Sequence, residues 1–386
     1  MLTTIISWLA SLLAPIISFI VSRLLPLDDL PEPSGQYAVG FTVLDWIDSD
    51  RDEWFTGQPG EKRRLVVQVW YPAATTENLS PATYLDHPVQ RLSMVAYQVG
   101  LPALLIAHMQ NVRCNAFRDA PRNTALASLP LVLFSHGLGG MKTQNSIQAE
   151  ELASHGYIVV AVDHAYDAYL TVFSDGSVAD YRSAAPAQQT KEEFRAFRTP
   201  QLATRTADLS FILDEITRRM VRGDPLWKNV QTNQAGVFGH SYGGATSITL
   251  AASDCRIAAA AALDGWLLPL PKNIVNEGLV TPFLYIGQGQ WRGEPLNYRL
   301  LDKLMRHSEN GLIELFPGTR HFDFSDAPQF SRLAKWFGLS GSVSRDRIRV
   351  SLNRDLLHFF DDHILNSITG NSITGTDADG QLDDAT

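Results

Sequence analysis

Cysteine is scarce in this chain: its 386 residues hold only Cys114 and Cys255. Two cysteines cannot build a disulfide framework, and with no Cys-x-x-Cys spacing they do not make a zinc site either. Both are expected as small buried hydrophobes, and neither a metal nor an organic cofactor is expected. Runs of lysine and arginine are also missing. With 32 basic against 41 acidic residues, the formal charge is −9 and the pI is near 5.6. This argues against a nucleic-acid partner, because neutralising phosphates takes clustered cations.

Charge is nearly absent from residues 2–27, where Arg23 is the lone base and no acid occurs. That length suffices for a membrane-crossing helix of about 20 residues. A cleavable signal peptide would carry its bases before the apolar run, and an interfacial helix would show a strongly charged face. Thr4, Ser7, Ser11, Ala14, Ser18 and Ser22 instead make a stripe of small residues suited to helix packing in lipid. Residues 1–30 are therefore expected to be a membrane anchor, with residues 1–27 giving membrane association. The alternatives are a helix buried against the domain and an atypical signal peptide. The expected location is a membrane, with secretion as the alternative. At the other end, residues 366–386 repeat Asn-Ser-Ile-Thr-Gly twice and then become acidic, which predicts a disordered tail.

Between these ends the chain is 45% hydrophobic, ample for a sizeable core. Candidate strands at 42–47 and 65–71 read as an opening hairpin across a Gly/Pro-rich turn. Residues 73–128 lack strand character and include an apolar helical stretch from Leu92 to Met109, read as core packing over a lipid- or substrate-facing cap. Six short apolar runs follow, at 131–134, 157–162, 235–238, 257–263, 282–286 and 312–316. Helical or turn-rich segments separate them, which predicts a mostly parallel sheet. Leu202, Leu209, Leu213, Ile216 and Met220 recur at helical spacing and end before Gly223, so this longest helix packs on a sheet face.

Within that pattern, Gly239-His240-Ser241-Tyr242-Gly243-Gly244 follows an apolar strand and precedes a helix-compatible segment. A Gly-x-Ser-x-Gly elbow needs glycine on both sides because the turn is strained and leaves no room for flanking side chains. Eight strands with such an elbow after the fifth make the α/β-hydrolase plan, one catalytic domain over 31–365 with helices on both faces.

A serine needs an adjacent base, itself oriented by a carboxylate, and in this plan the order is Ser, acid, His. Of His307, His321, His358 and His363, only His321 lies in the loop directly after the last strand. His358 and His363 read as surface or satisfied core residues. Asp264 closes the run before it at a strand's carboxyl end, where catalytic groups of open sheets gather. Asp323 is the runner-up, and Asp163, which precedes the serine, is expected to line the site or cap a loop. The developing oxyanion needs two main-chain N–H donors. Tyr242 follows the serine, and Leu138 lies in Ser135-His136-Gly137-Leu138-Gly139-Gly140, with His136 bracing that loop.

Five segments together resemble the platelet-activating factor acetylhydrolase family, of the plasma and intracellular type II kind. They are Gly35-Gln36-Tyr37-Ala38-Val39-Gly40, Phe134-Ser135-His136-Gly137-Leu138-Gly139, Leu152-Ala153-Ser154-His155-Gly156-Tyr157-Ile158-Val159, Gly239-His240-Ser241-Tyr242-Gly243-Gly244-Ala245-Thr246 and Ala262-Leu263-Asp264-Gly265-Trp266. The resemblance spans about residues 35 to 325. It implies a calcium-independent serine esterase that removes short or oxidised acyl chains from the sn-2 position of phospholipids. It also implies Ser241 as nucleophile, Asp264 as acid, His321 as base, and Leu138 with Tyr242 as oxyanion hole. The substrate partner is then a small ester or phospholipid. The rival readings are a generic carboxylesterase or polyester hydrolase, and a hydrolase fold that binds without catalysing.

Overall fold

The computed structural model describes residues 20–98, 100–184, 189–289 and 295–366. The apolar runs form the strands. β1 (Val39–Asp52) and β2 (Lys62–Pro72) pair antiparallel as the expected hairpin. β3 (Ala116–Arg118), β4 (Leu129–Ser135) and β5 (Ile158–His164) follow. β6 (Leu170–Val172) and β7 (Val178–Asp180) make a separate two-stranded ribbon. β8 (Val230–His240), β9 (Ile257–Leu263), β10 (Phe283–Gln288) and β11 (Gly311–Phe316) complete the main sheet.

Among the described residues the main sheet has nine strands in the order β11-β10-β9-β8-β4-β5-β2-β1-β3. It is parallel from β11 through β5, while β2 joins antiparallel to both β5 and β1. The expected count of eight is corrected to nine. β3 has only three residues, too few to show an alternation, and it is a strand because it lies in register beside Val39, Gly40 and Phe41.

Helices cover both faces: α1 (Pro88–Gln98), α2 (Ser146–Ser154), α3 (Lys191–Val221), α4 (Tyr242–Ser253), α5 (Lys272–Glu277), α6 (Pro295–His307) and α7 (Arg345–Phe360). Side chains alternate across a strand, so each central strand feeds two cores. Leu131, Leu133, Val160 and Val237 point into one core with Leu209, Leu213 and Ile216 of α3 and Ile248 of α4. Val132, Phe134, Val159 and Phe238 point into the other with Leu152 of α2 and Leu352, Leu356 and Phe360 of α7. Burial on both sides is why these strands read as unbroken apolar runs. Each such fully buried side chain contributes about 1.5–3 kcal/mol.

The helix on 202–220 starts earlier than its apolar stripe. Thr190 caps it by accepting from Glu193 N at 3.1 Å, while the Glu193 carboxylate accepts from Thr190 N at 2.7 Å. The apolar stretch from Leu92 to Met109 is not one helix. α1 stops before Gly100, which takes φ 68°, and the chain resumes after Pro102 as a 3₁₀ helix, Ala103–Asn111. A left-handed glycine ends a helix, and proline supplies no N–H to continue it.

Cys114 is buried as expected, but Cys255 is exposed, because it sits in the turn between α4 and β9 rather than on either element. The anchor expectation falls mostly on residues 1–19 and the acidic-tail expectation on 367–386, both outside the described residues. Residues 20–24 are helical, and the chain then docks on the domain. Asp28 N donates to Phe330 O at 2.8 Å, Leu30 N donates to Arg113 O at 2.9 Å, and the Asp28 carboxylate pairs with Arg345 at 2.8 Å. No helix among the described residues is long and apolar enough to cross a membrane.

Candidate active site

Ser241 stands between the last residue of β8 and the first of α4, with φ 57° and ψ −117°. Sterics hold it there. A Cβ on Gly239 would come 2.2 Å from Gly243 O, and one on Gly243 would come 1.9 Å from Ser135 O. Both positions therefore accept only glycine, and the strand and helix close to backbone contact. Main-chain bonds pin the strained residue from two sides: Ser241 N donates to Leu263 O at 3.0 Å, and Ser241 O accepts from Trp266 N at 2.9 Å. A cost of order 1–3 kcal/mol for such a conformation is sustained by its surroundings.

Asp264 follows β9, fully buried, in the left-handed region at φ 47°. Its N–H donates to Ile286 O at 2.6 Å. Its carboxylate accepts from Gln288 N at 3.1 Å and Gln288 Nε2 at 2.9 Å, and His321 Nδ1 lies 2.6 Å from its Oδ2. A Cβ on Gly287 would come 2.9 Å from Asp264 Oδ1, so glycine there makes room for the carboxylate. The side chain of His321 is about 31% exposed while its partner is buried, which leaves part of the ring accessible.

The other candidates go elsewhere. Asp323 accepts from Arg320 N and Gly341 N, both at 2.8 Å, and so braces the loop that carries His321. Asp163 accepts from Lys142 N at 2.6 Å and pairs with Arg91 at 2.8 Å, fastening the loop before α2. His307 is exposed with Nδ1 donating to Lys303 O at 2.8 Å. His358 is exposed, and His363 packs edge-on to Phe359.

The loop after β4 lies against the serine: a Cβ on Gly137 would come within 3.2 Å of Ser241 Cβ. Leu138 N–H has no partner among the described residues. Tyr242 is buried with its hydroxyl donating to Arg198 O at 3.1 Å, so only its main chain can face the site.

Gln144, His240 and Gln288 are among the residues to which the sequence assigned no role. Gly137 N donates to Gln144 Oε1 at 2.8 Å, which turns the Gln144 amide nitrogen to His240 Nδ1 at 2.9 Å. His240 Nε2 then donates to the main-chain oxygen of His321 at 3.0 Å. Burial, and next the nearby His321 ring, hold His240 well below the usual histidine range, so it stays neutral in this chain of bonds. His240 sits inside the elbow motif, but a motif does not say what its intervening residues touch.

Behind the loop lies another Ser-His-Asp array. Ser135 Oγ donates to His164 Nε2 at 3.0 Å, and His164 Nδ1 donates to Asp208 at 2.8 Å. All three are fully buried, so no ester reaches them. Burial, then the charge of Arg205, push His164 down to about 4. His136 accepts His164 N on Nε2 at 3.2 Å, leaving Nδ1–H to donate to Gly137 O at 2.6 Å. It braces the loop.

An apolar cavity of about 150 Å³ adjoins Gly139 and Gly140 on one side and Phe322, next to His321, on the other. Met94, Val95, Ile106 and Phe330 line it, and Arg91 at its edge is neutralised by Asp86 and Asp163. Among the described residues there is no group of three or more His, Cys, Asp or Glu side chains that could hold a metal ion.

Comparison with known proteins matches residues 26–372 to the family described as platelet-activating factor acetylhydrolase, isoform II. The platelet-activating factor acetylhydrolase of Gallus gallus is 28% identical over 65% of this chain and 68% of its own length. That of Canis lupus familiaris is 26% identical over 77% of this chain and 68% of its own. The probable 1-alkyl-2-acetylglycerophosphocholine esterase of Arthroderma benhamiae is 24% identical over 78% and 76%. Among solved structures, a ferulic acid esterase from Streptomyces cinnamoneus superposes with a TM-score of 0.70 at 26% identity, covering 88% of this chain and 94% of that one.

Proposed function

Since the chain belongs to the platelet-activating factor acetylhydrolase isoform II family, we propose that it is a serine esterase that removes short acyl groups, acetyl above all, from the sn-2 position of phospholipids. The observation that carries this reading is the buried Asp264 carboxylate 2.6 Å from His321 Nδ1, beside a serine at a left-handed strand–helix turn.

Ser241 Oγ attacks the ester carbonyl carbon while its proton passes to His321 Nε2. The carbonyl electron pair moves onto oxygen, which accepts from the N–H groups of Leu138 and Tyr242. Asp264 holds His321 in the tautomer with Nδ1–H and offsets the positive charge as the ring takes its second proton. The intermediate collapses, the alkoxide of the lysophospholipid leaves with the proton from His321, and the acyl group stays on Ser241. Water then attacks the acyl carbon while giving a proton to His321, and the bond to Ser241 Oγ breaks as that oxygen takes the proton back from His321, which releases the acid. The apolar cavity supports a substrate with hydrocarbon, worth about 0.8 kcal/mol for each CH₂ buried.

The same reading places the protein at a lipid surface, held there through residues 1–27, with secretion as the alternative location. Its support is the uncharged stretch of residues 2–22, together with exposed Leu24, Trp336 and Phe337 near the cavity-lining segments. Vesicle co-sedimentation of the full chain against one lacking residues 1–24 tests that part.

The similarity to a ferulic acid esterase favours one second reading, an esterase of aromatic acids. Turnover of an sn-2 acetyl phospholipid, p-nitrophenyl butyrate and methyl ferulate, each with wild type and Ser241→Ala, decides between them. Preference for the phospholipid is expected. Preference for the ferulate would overturn the substrate class, and failure of a fluorophosphonate to label Ser241 would overturn catalysis itself.

A further inference from the structure

Main-chain amides make an oxyanion hole only if the peptide planes that carry them cannot turn. The Gly137–Leu138 peptide is gripped by its carbonyl. Arg205 Nη2 donates to Gly137 O at 3.2 Å and Arg205 Nη1 donates to His136 O at 2.6 Å, while His136 Nδ1–H reaches Gly137 O at 2.6 Å. In a trans peptide the C=O and the following N–H point in opposite directions. With Gly137 O facing Arg205, Leu138 N–H points away from it and has no partner among the described residues.

Arg205 is itself immobile. It comes from α3, is about 1% exposed, and its Nε is bonded to the Asp167 carboxylate. Asp167 also accepts from Gln201 Nε2 at 2.8 Å, and its main-chain oxygen accepts from Gly139 N at 3.2 Å. Arg205 and Asp167, one buried ion pair, thus hold the loop at His136, Gly137 and Gly139, and Gly140 N closes the turn by donating to Gly137 O at 3.1 Å. A charge with 1% exposure requires such a partner, and two carbonyls plus a carboxylate on three nitrogens match a planar guanidinium and not an ammonium.

We propose that Arg205 is a positioning residue for the oxyanion hole: it clamps the Gly137 carbonyl so that the Leu138 N–H stays aimed at the ester oxygen. This rests on the reading of Leu138 as an oxyanion donor. Arg205 touches no substrate. Its effect passes through one peptide plane, so it acts on the transition state more than on ground-state binding.

Arg205→Lys separates this role from a merely structural one, because lysine keeps a charge for Asp167 but cannot span both carbonyls. The full chain is assayed with p-nitrophenyl butyrate, titrated with an alkyl trifluoromethyl ketone that forms a tetrahedral adduct on serine, and melted thermally. The expected result is a kcat lower by about 10²-fold, as for loss of one oxyanion donor, with KM within about twofold. Affinity for the ketone should fall in proportion to kcat/KM. A folded variant with wild-type kcat, or with reduced kcat and unchanged ketone affinity, overturns the proposal. If Arg205→Lys does not fold, Asp167→Asn leaves the guanidinium in place but loosened, and a parallel loss of about tenfold in kcat and ketone affinity is expected. Loss of stability alone in that variant overturns the proposal. A wild type whose Ser241 is labelled by a fluorophosphonate while the Arg205 variants stay fully active sinks this inference and leaves the esterase reading intact. A wild type that is not labelled sinks both.

Discussion

His240 Nε2 donates to the main-chain oxygen of His321 at 3.0 Å, so the residue ahead of the serine holds the backbone that carries the proposed base. The two rings lie 4.5 Å apart, and Gln144 links the same His240 to Gly137 of the loop after β4. The three segments that converge on Ser241 are therefore bonded to one another as well as to the sheet.

His240→Leu removes this link and leaves the Gln144 amide nitrogen without its His240 acceptor, an unmade bond costing about 1–3 kcal/mol. The expected outcome is a lower melting temperature and a kcat about 10- to 100-fold below wild type per folded molecule, with KM little changed. Steady-state kinetics on a soluble ester beside calorimetry checks it. Wild-type kcat in the folded variant would mean that His321 is held without this bond.

Asp264→Asn and Asp323→Asn test which carboxylate orients the imidazole. Asp264 meets His321 Nδ1 directly, whereas among the described residues the Asp323 carboxylate accepts from Arg320 N and Gly341 N. Loss of a tautomer-holding carboxylate costs about 10³–10⁴ in kcat, expected for Asp264→Asn. Asp323→Asn should reduce stability by more than it reduces kcat. The reverse ranking would transfer the acid to Asp323.

Gly243→Ala puts a methyl 1.9 Å from the Ser135 carbonyl oxygen. That contact is with backbone, so no rotamer relieves it, and overpacking of this kind costs about 1–3 kcal/mol or more. A clear fall in melting temperature is expected, together with loss of activity beyond the unfolded fraction, because α4 must move off Ser241. Gly57→Ala is the control for general glycine effects, since Gly57, at φ 63°, has nothing within 4 Å of its Cβ position and lies far along the chain from the elbow.

Glu150 gives the pH prediction. It is buried in α2, accepts from Asn115 N at 3.0 Å, and burial pushes its carboxyl up to about 7. Its folded pKa lies above the unfolded value, so the protonated form contributes stability at low pH that is lost as pH rises through about 7. Glu150→Gln keeps the neutral shape at every pH. The melting temperature of the variant relative to wild type should therefore climb between pH 5 and pH 8, by an amount corresponding to at most about 3 kcal/mol at 1.4 kcal/mol per unit. A difference that stays flat with pH would mean that Glu150 is charged throughout.

Much of this protein is determined locally and can be read from residues in order. Strands buried on both faces must be apolar throughout, so 131–134, 157–162 and 235–238 announced a helix-covered parallel sheet before any contact was known. The closeness of β8 and α4 leaves only glycine possible at 239 and 243, which makes the elbow visible as a short pattern. Asp264 and His321 stand at strand ends, and the order of strands along the chain is enough to single out such positions.

Other features depend on pairing across long stretches of chain, where no local preference marks them. β3 is a strand only because β1 lies beside it. Gln144, Arg205, His240 and Gln288 have ordinary local surroundings. Their partners lie 96, 68, 81 and 24 positions away, on Gln144–His240, Arg205–Gly137, His240–His321 and Gln288–Asp264. A side-chain hydrogen bond leaves no periodicity in a sequence, and a buried polar group shows its purpose only through the atom that satisfies it. The sequence alone determined the sheet, the elbow and the strand ends, because those follow from sterics and burial along the chain. Only the tertiary structure decided how the loops at those ends are held, because each hold joins residues that folding alone brings within hydrogen-bond distance.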